Sequence, residues 1–167
     1  MKLRGALVAS LVAGLLAACS PTDATSPTAP VSLGDPAEFA RALFDETNVV
    51  RASNELPALE WSDCLAEAAG PRAADSLGTA SLSHEPLASP CTPGATAGEN
   101  LSRTWRTAGA VVALWMDSEA HRDNILNPAF TRSGVACVAY SHGDPATEAQ
   151  PGDPQGGMVC SQLFEGG

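Results

Sequence analysis

The chain holds three histidines, and two of them stand in segments able to share a site. His84 lies in Leu82-Ser83-His84-Glu85, and Gly98-Glu99-Asn100 follows in the next segment. His121 opens His121-Arg122-Asp123-Asn124-Ile125-Leu126, shortly after Trp115. Two neutral imidazoles and a carboxylate suit zinc or another divalent first-row metal, with positions left open for water or substrate. The same groups could shuttle protons, because histidine titrates near neutral pH. They could equally form a hydrogen-bonded network that ties helices to a sheet. Residue types alone leave these readings open.

Other chemistry is thinly represented. His84-Glu85 does not begin a zinc-protease helix motif, because Ala88 stands where the second histidine belongs and Pro86 would break the helix. There is no Gly-x-Ser-x-Gly elbow. Ser83 and Ser118 lie near histidines but read as caps or turns. His142 falls in a polar stretch and is expected in solvent. The only lysine is Lys2, which leaves no Schiff-base chemistry for the body of the chain.

The elements that must position these residues follow from periodicity. Phe39, Leu43 and Val50 fall on a helical stripe over about Pro36–Ala52. Ser62 is a fitting N-cap for a second helix from Asp63 through Leu65, Ala69, Ala73 and Leu77, which Gly70-Pro71 should kink or break and restart. Glu85–Ala97, with three prolines and Gly94, reads as a loop. A third helix begins near Thr107, with Val111, Leu114 and Trp115 as its expected buried face. Ser118–Ile125 should add a helical turn ended by Asn127-Pro128. Gly134–Tyr140 and Gly157–Phe164 are strand-like and flank a long polar hairpin loop, Ser141–Gln155. A third strand could lie near Ala97–Ser102 or elsewhere; the pattern does not place it. Trp61 and Trp115 read as core anchors, and Trp105 as a ring at a sheet edge or for a partner. Helices first and strands late predict an α+β class, helices packed on a small antiparallel sheet.

The start of the sequence reads as an export signal over 1–18. Lys2 and Arg4 precede an apolar run, Gly5–Leu16, too short to span a bilayer comfortably. Leu16-Ala17-Ala18-Cys19 resembles the lipobox of bacterial lipoproteins, which predicts a lipid on Cys19 and a membrane anchor. Ser20 rather than aspartate beside it would suit outer-membrane sorting in a Gram-negative cell. Residues 19–35 are rich in Pro, Thr, Ser and Ala and read as a flexible tether. Residues 36–167 are long enough for one domain with its own core. A net charge of −10 repels phosphate backbones, so nucleic-acid binding is excluded.

Setting Cys19 aside, Cys64, Cys91, Cys137 and Cys160 remain, which allow three pairings. In an oxidising compartment disulfides are the default. Cys137 and Cys160 each sit in a strand-like run, so a bridge between neighbouring strands is economical and leaves Cys64 with Cys91. No Cys-x-x-Cys pair supports a four-cysteine zinc site.

Read in order, these pieces show a resemblance. Asn48-x-x-Arg51, Leu56-Pro57-Ala58-Leu59-x-Trp61, His84, Ala97-Gly98-Glu99-Asn100, Trp115-Met116-x-Ser118-x-x-His121-Arg122-x-Asn124-Ile125-Leu126 and Gly134-Val135 together resemble a bacterial CAP-superfamily (SCP/PR-1/antigen 5) domain. The resemblance runs from about Phe39 to Phe164. It implies an α–β–α sandwich with a surface cleft of two histidines and, in many members, two acidic residues. The matching positions are His84, Glu99 and His121, while Ser118 stands where eukaryotic relatives often carry the second carboxylate.

Three functions follow from that resemblance. The first is an envelope-anchored module whose cleft binds a divalent metal such as zinc, or a lipid, cell-wall or protein ligand. The second is a His/Glu-dependent hydrolase, with or without metal, that uses activated water. The third is a disulfide-stabilised envelope protein with a vestigial cleft. Sterol binding, reported for some eukaryotic relatives, finds no recognisable apolar site in the sequence.

Overall fold

Asp35 starts the first helix by accepting hydrogen bonds from the backbone N–H groups of Ala37 (2.8 Å) and Glu38 (3.3 Å), with Pro36 placed where its missing donor is harmless. In the computed structural model, which describes residues 33–77, 79, 82–84, 87–141 and 156–167, this helix (α1) spans Pro36–Ser53. It is followed by β1 (Glu60–Trp61), α2 (Asp63–Leu77), β2 (Thr96–Thr104), α3 (Ala108–Asp117), α4 (Glu119–Leu126), β3 (Arg132–Ser141) and β4 (Gly156–Gly166). The export signal, most of the tether, His142 and most of the hairpin loop lie outside the described residues.

The α+β class holds, with a correction to the sheet. Four strands lie in the order β1-β3-β4-β2. β3–β4 and β2–β4 are antiparallel, but β1 pairs parallel to β3 through Glu60↔Arg132 and Trp61↔Ser133. The sheet is therefore mixed. A strand of two residues is too short to show an alternating pattern in sequence.

β4 is the central strand, and its period-2 alternation organises both layers. Met158, Cys160 and Phe164 face the core built by α1, α3 and α4, around Leu43, Val111, Trp115, Ile125 and Phe130. Leu163 faces the other way and packs with Leu65 and Ala69 of α2. Helices thus cover both faces of the sheet. Register places Cys137 opposite Cys160, and these two are disulfide-bonded, as are Cys64 and Cys91.

One local expectation is narrowed and another corrected. Of the kink or break expected at Gly70-Pro71, the break does not occur; α2 runs on to Leu77 with Pro71 inside. Glycine before proline removes the Cβ that would otherwise crowd the ring, which lets the helix continue. Leu114 is not part of the buried face of α3 but is 50% exposed. Ala108, Val111, Val112 and Trp115 make that face at helical spacing, and position 114 falls off it.

Candidate functional site

The site is built from β2 outward. Glu99 sits in mid-strand with only 2% of its side chain exposed. Arg72, on α2, meets it with both arms: Nε donates to Oε1, and Nη2 donates to Oε2 at 2.6 Å. Ser161, on the neighbouring strand β4, donates to Oε1 at 2.9 Å. His84 Nδ1 lies 3.0 Å from Oε2, and its side chain is 49% exposed. The carboxylate is therefore buried and shared, while the imidazole it orients faces solvent. His121, on α4, brings its ring to 6.1 Å from that of His84 and 6.3 Å from that of Trp115. Ser118 joins α3 to α4 as the C-cap of one and the N-cap of the other, and its carbonyl accepts from Arg122 N.

Burial pushes the Glu99 carboxyl up, but hydrogen bonds from Arg72, His84 and Ser161 outweigh it and hold the pKa below the usual carboxylate value. The pKa of His121 is also lowered, first by burial and then by the charge on a protonated His84. Neutral His121 is thus favoured in the fold.

These residues fit a metal poorly. Both Glu99 oxygens already accept from Arg72, one also from Ser161, and the other faces His84. A guanidinium on the carboxylate supplies the charge a cation would otherwise bring. Among the described residues no group of three or more His, Cys, Asp or Glu could hold a metal ion. The two imidazoles alone fall short of the three protein ligands of a catalytic zinc site.

A family model described as "CAP: Cysteine-rich secretory protein family" matches residues 44–150, well over half of the chain. The chain belongs to the CAP family. The Bacillus subtilis proteins it resembles include "Uncharacterized protein YkwD", 56% identical over 43 residues (26% of this chain, 17% of that protein). Another is "Uncharacterized membrane protein YlbC", 31% identical over 104 residues (57% of this chain, 30% of that protein). The chain thus spans less than a third of either curated relative. Among solved structures, an extracellular SCP-domain protein of Bacillus anthracis superposes with a TM-score of 0.58 at 25% identity, covering 79% of this chain and 41% of that one. An outer surface protein of Borrelia burgdorferi gives 0.59 at 18% identity, covering 79% and 95%. The second likeness speaks for the fold alone.

Several residues of the CAP pattern hold the cleft rather than line it. Asn124 Nδ2 donates to the Glu99 carbonyl (3.0 Å) and to Asn100 Oδ1 (2.9 Å), and Asn100 Nδ2 donates to the His121 carbonyl (3.1 Å). Trp115 Nε1 donates to the Leu101 carbonyl at 3.0 Å. These bonds tie α3 and α4 to β2, the edge strand that carries Glu99. Gly98 permits the approach, since a Cβ there would stand 2.6 Å from Asn124 Oδ1 and 2.9 Å from the Phe130 ring. Arg51, 1% exposed, donates to the carbonyls of Pro57, Ile125, Asn127 and Phe130. Asn48 clamps Leu59 through both its N–H (2.8 Å) and its carbonyl (3.1 Å).

Sequence reasoning missed Arg72 and Ser161. The available signals were a single arginine in a helix of small residues and a serine beside Cys160 in a strand that also carries Gln162 and Glu165. A larger cavity, about 870 Å³, lies elsewhere among the described residues, bordered by Ala40, Trp61, Ala66 and Val135. It contains none of the cleft residues. Trp61 borders it half-buried, edge-on to Phe44 at 5.2 Å and beneath Arg41 at 3.5 Å.

Proposed function

We propose that this CAP-domain protein is an exported binding module whose cleft presents His84 and His121 to a small ligand from the cell envelope. One observation carries the reading: Glu99 is buried and saturated by Arg72, Ser161 and His84, so it orients a solvent-facing imidazole. Such a group is preorganised to donate or accept a hydrogen bond without first being ordered. Export is supported by two disulfides, which persist in oxidising compartments. The Bacillus anthracis relative is itself described as extracellular. Among the described residues no helix is long and apolar enough to cross a membrane; the anchor in this reading is a lipid on Cys19. Mass spectrometry of the chain recovered from membranes tests this, and an unmodified Cys19 rejects the anchor.

The binding reading is tested by following the imidazole resonances of His84 and His121 while soluble muropeptides or phospholipid micelles are added. Saturable shifts that His84→Ala and His121→Ala weaken support it. Resonances unmoved by both probes reject it.

A second reading is a hydrolase in which His84, held by Glu99, acts as general base on water. The 3.0 Å contact between the two favours it. Hydrolysis of muropeptides abolished by both His84→Ala and Glu99→Gln would establish it. Zinc at the two histidines is a third reading, and the committed carboxylate speaks against it. Calorimetric zinc titration decides that point, with His84→Ala and His121→Ala as controls.

A further inference from the structure

A second cavity, about 320 Å³, opens beside His121 between β2 and α3. Its size is at the small end of ligand pockets, which run from about 300 to 1,000 Å³. Leu101, Val111, Leu114, Trp105 and Trp115 give it apolar walls. Leu114 is one of only two large hydrophobic side chains among the described residues that stand exposed. The charges around this pocket are of one sign: Arg103 and Arg106 line it, and no carboxylate does. That is unusual in a chain whose net charge is −10.

Two buried polar atoms on its wall lack a hydrogen-bond partner among the described residues. They are Ser102 Oγ, on a residue 8% exposed, and Arg103 Nε. Adjacent strand residues point to opposite faces of β2, so these two atoms do not make one ligand site. Arg103 is fixed from behind, because its Nη2 donates to the carbonyls of Ser76 and Thr79. Arg106 is exposed and sits 5.7 Å from the Trp105 ring, free to swing to an anion.

We propose that this pocket binds the C-terminal residue of a peptide, an apolar side chain with its free carboxylate. The side chain enters between Trp105, Leu114 and Trp115, and the carboxylate meets Arg106 at the mouth. A cavity of this size holds one such residue. Its apolar walls and cationic rim match the two ends of that residue. The inference deepens the binding reading above and rests on it, since the peptide's upstream part would lie toward His121.

The test is a titration of the full chain with N-acetyl-phenylalanine and, separately, its amide, which differs only in lacking the charge. The indole N–H resonances of Trp105 and Trp115 report on the pocket, and that of Trp61, at the opposite edge of the sheet, is the reference. Saturable shifts of the first two with Trp61 still, and binding about tenfold weaker for the amide, are expected. Arg106→Gln should reduce the acid to the affinity of the amide. Leu114→Ser should weaken both ligands. Both side chains are exposed, so neither change threatens folding. No saturable shift, equal affinity for acid and amide, or an unchanged Arg106→Gln variant overturns the proposal. Loss of binding in His84→Ala also overturns it, by placing the ligand in the histidine cleft, and leaves the cleft reading standing. Failure here with muropeptide shifts intact at His84 likewise separates the two.

Discussion

Arg72 grips Glu99 through two parallel hydrogen bonds, and this pair decides what the histidine cleft can be. A carboxylate held this way is an orienting group for His84. It is not a free metal ligand. The pair spans the interface between α2 and β2, so it also fastens the helix to the strand that carries the site.

Removing one partner should expose that dependence. Arg72→Met leaves a buried carboxylate without its main counter-charge, which costs about 3 kcal/mol or more in chemical denaturation. Arg72→Met combined with Glu99→Gln should recover much of the loss, because the uncompensated charge is gone. Zinc affinity should rise in Arg72→Met, since Glu99 becomes available beside the histidines. A single variant as stable as the parent would reject the role given to the pair.

Arg51, on α1, is a fully buried cation, and its task is mechanical. Its guanidinium serves four carbonyls, two of them at Ile125 and Asn127, where α4 ends. Cationic donors are favourable at a helix C-terminus. Arg51→Ala orphans those carbonyls and should cost about 3 kcal/mol or more. Arg51→Lys recovers little, because an ammonium cannot reproduce the planar fork. In hydrogen exchange, the amides of α4 should lose protection first. Uniform loss across the sheet instead would show that Arg51 does not act through α4.

Gly98→Ala should be destabilising by about 1–3 kcal/mol through overpacking. The new Cβ meets Asn124 Oδ1 and the ring of Phe130, which stacks at 5.5 Å on Phe164 and has little room to yield. Because Asn124 positions the Glu99 backbone, the His84 and His121 resonances should shift as well. Unchanged stability and resonances together would show the contact to be soft.

Much of this was legible in sequence because it rests on short-range pattern. Helical stripes placed α1 and α2, and strand-like runs around Cys137 and Cys160 placed β3 and β4. What was not legible depended on non-local partners. Nothing local in the sequence marks Arg72; the fold alone puts Glu99 beside it. Leu114 looked buried because hydrophobicity was counted without its helical phase. The Glu60–Trp61 strand exists only because β3 lies beside it. The motif likewise marked Glu99 as a cleft residue without revealing that Arg72 and Ser161 already occupy its oxygens.

The remaining prediction concerns acid. Glu99 and Glu165 are each pushed up by burial and pulled down further by their partners: Arg72, His84 and Ser161 for the first; Ser89, Thr92 and Arg132 for the second. With folded pKa values below the ordinary range, both contribute stability that is complete above that range and is lost as pH falls toward the folded values. His121 has the same sign for a different reason. Burial, and then His84, hold its pKa down, so below about pH 6.5 the unfolded chain takes up a proton that the fold resists. Denaturation midpoints should therefore fall in two stages, one below about pH 6.5 and one in the carboxylate range near pH 4. His121→Asn should flatten the first stage and spare the second. A profile for His121→Asn that parallels the parent between pH 7 and pH 5 would show that the His121 ring is not held neutral by the fold.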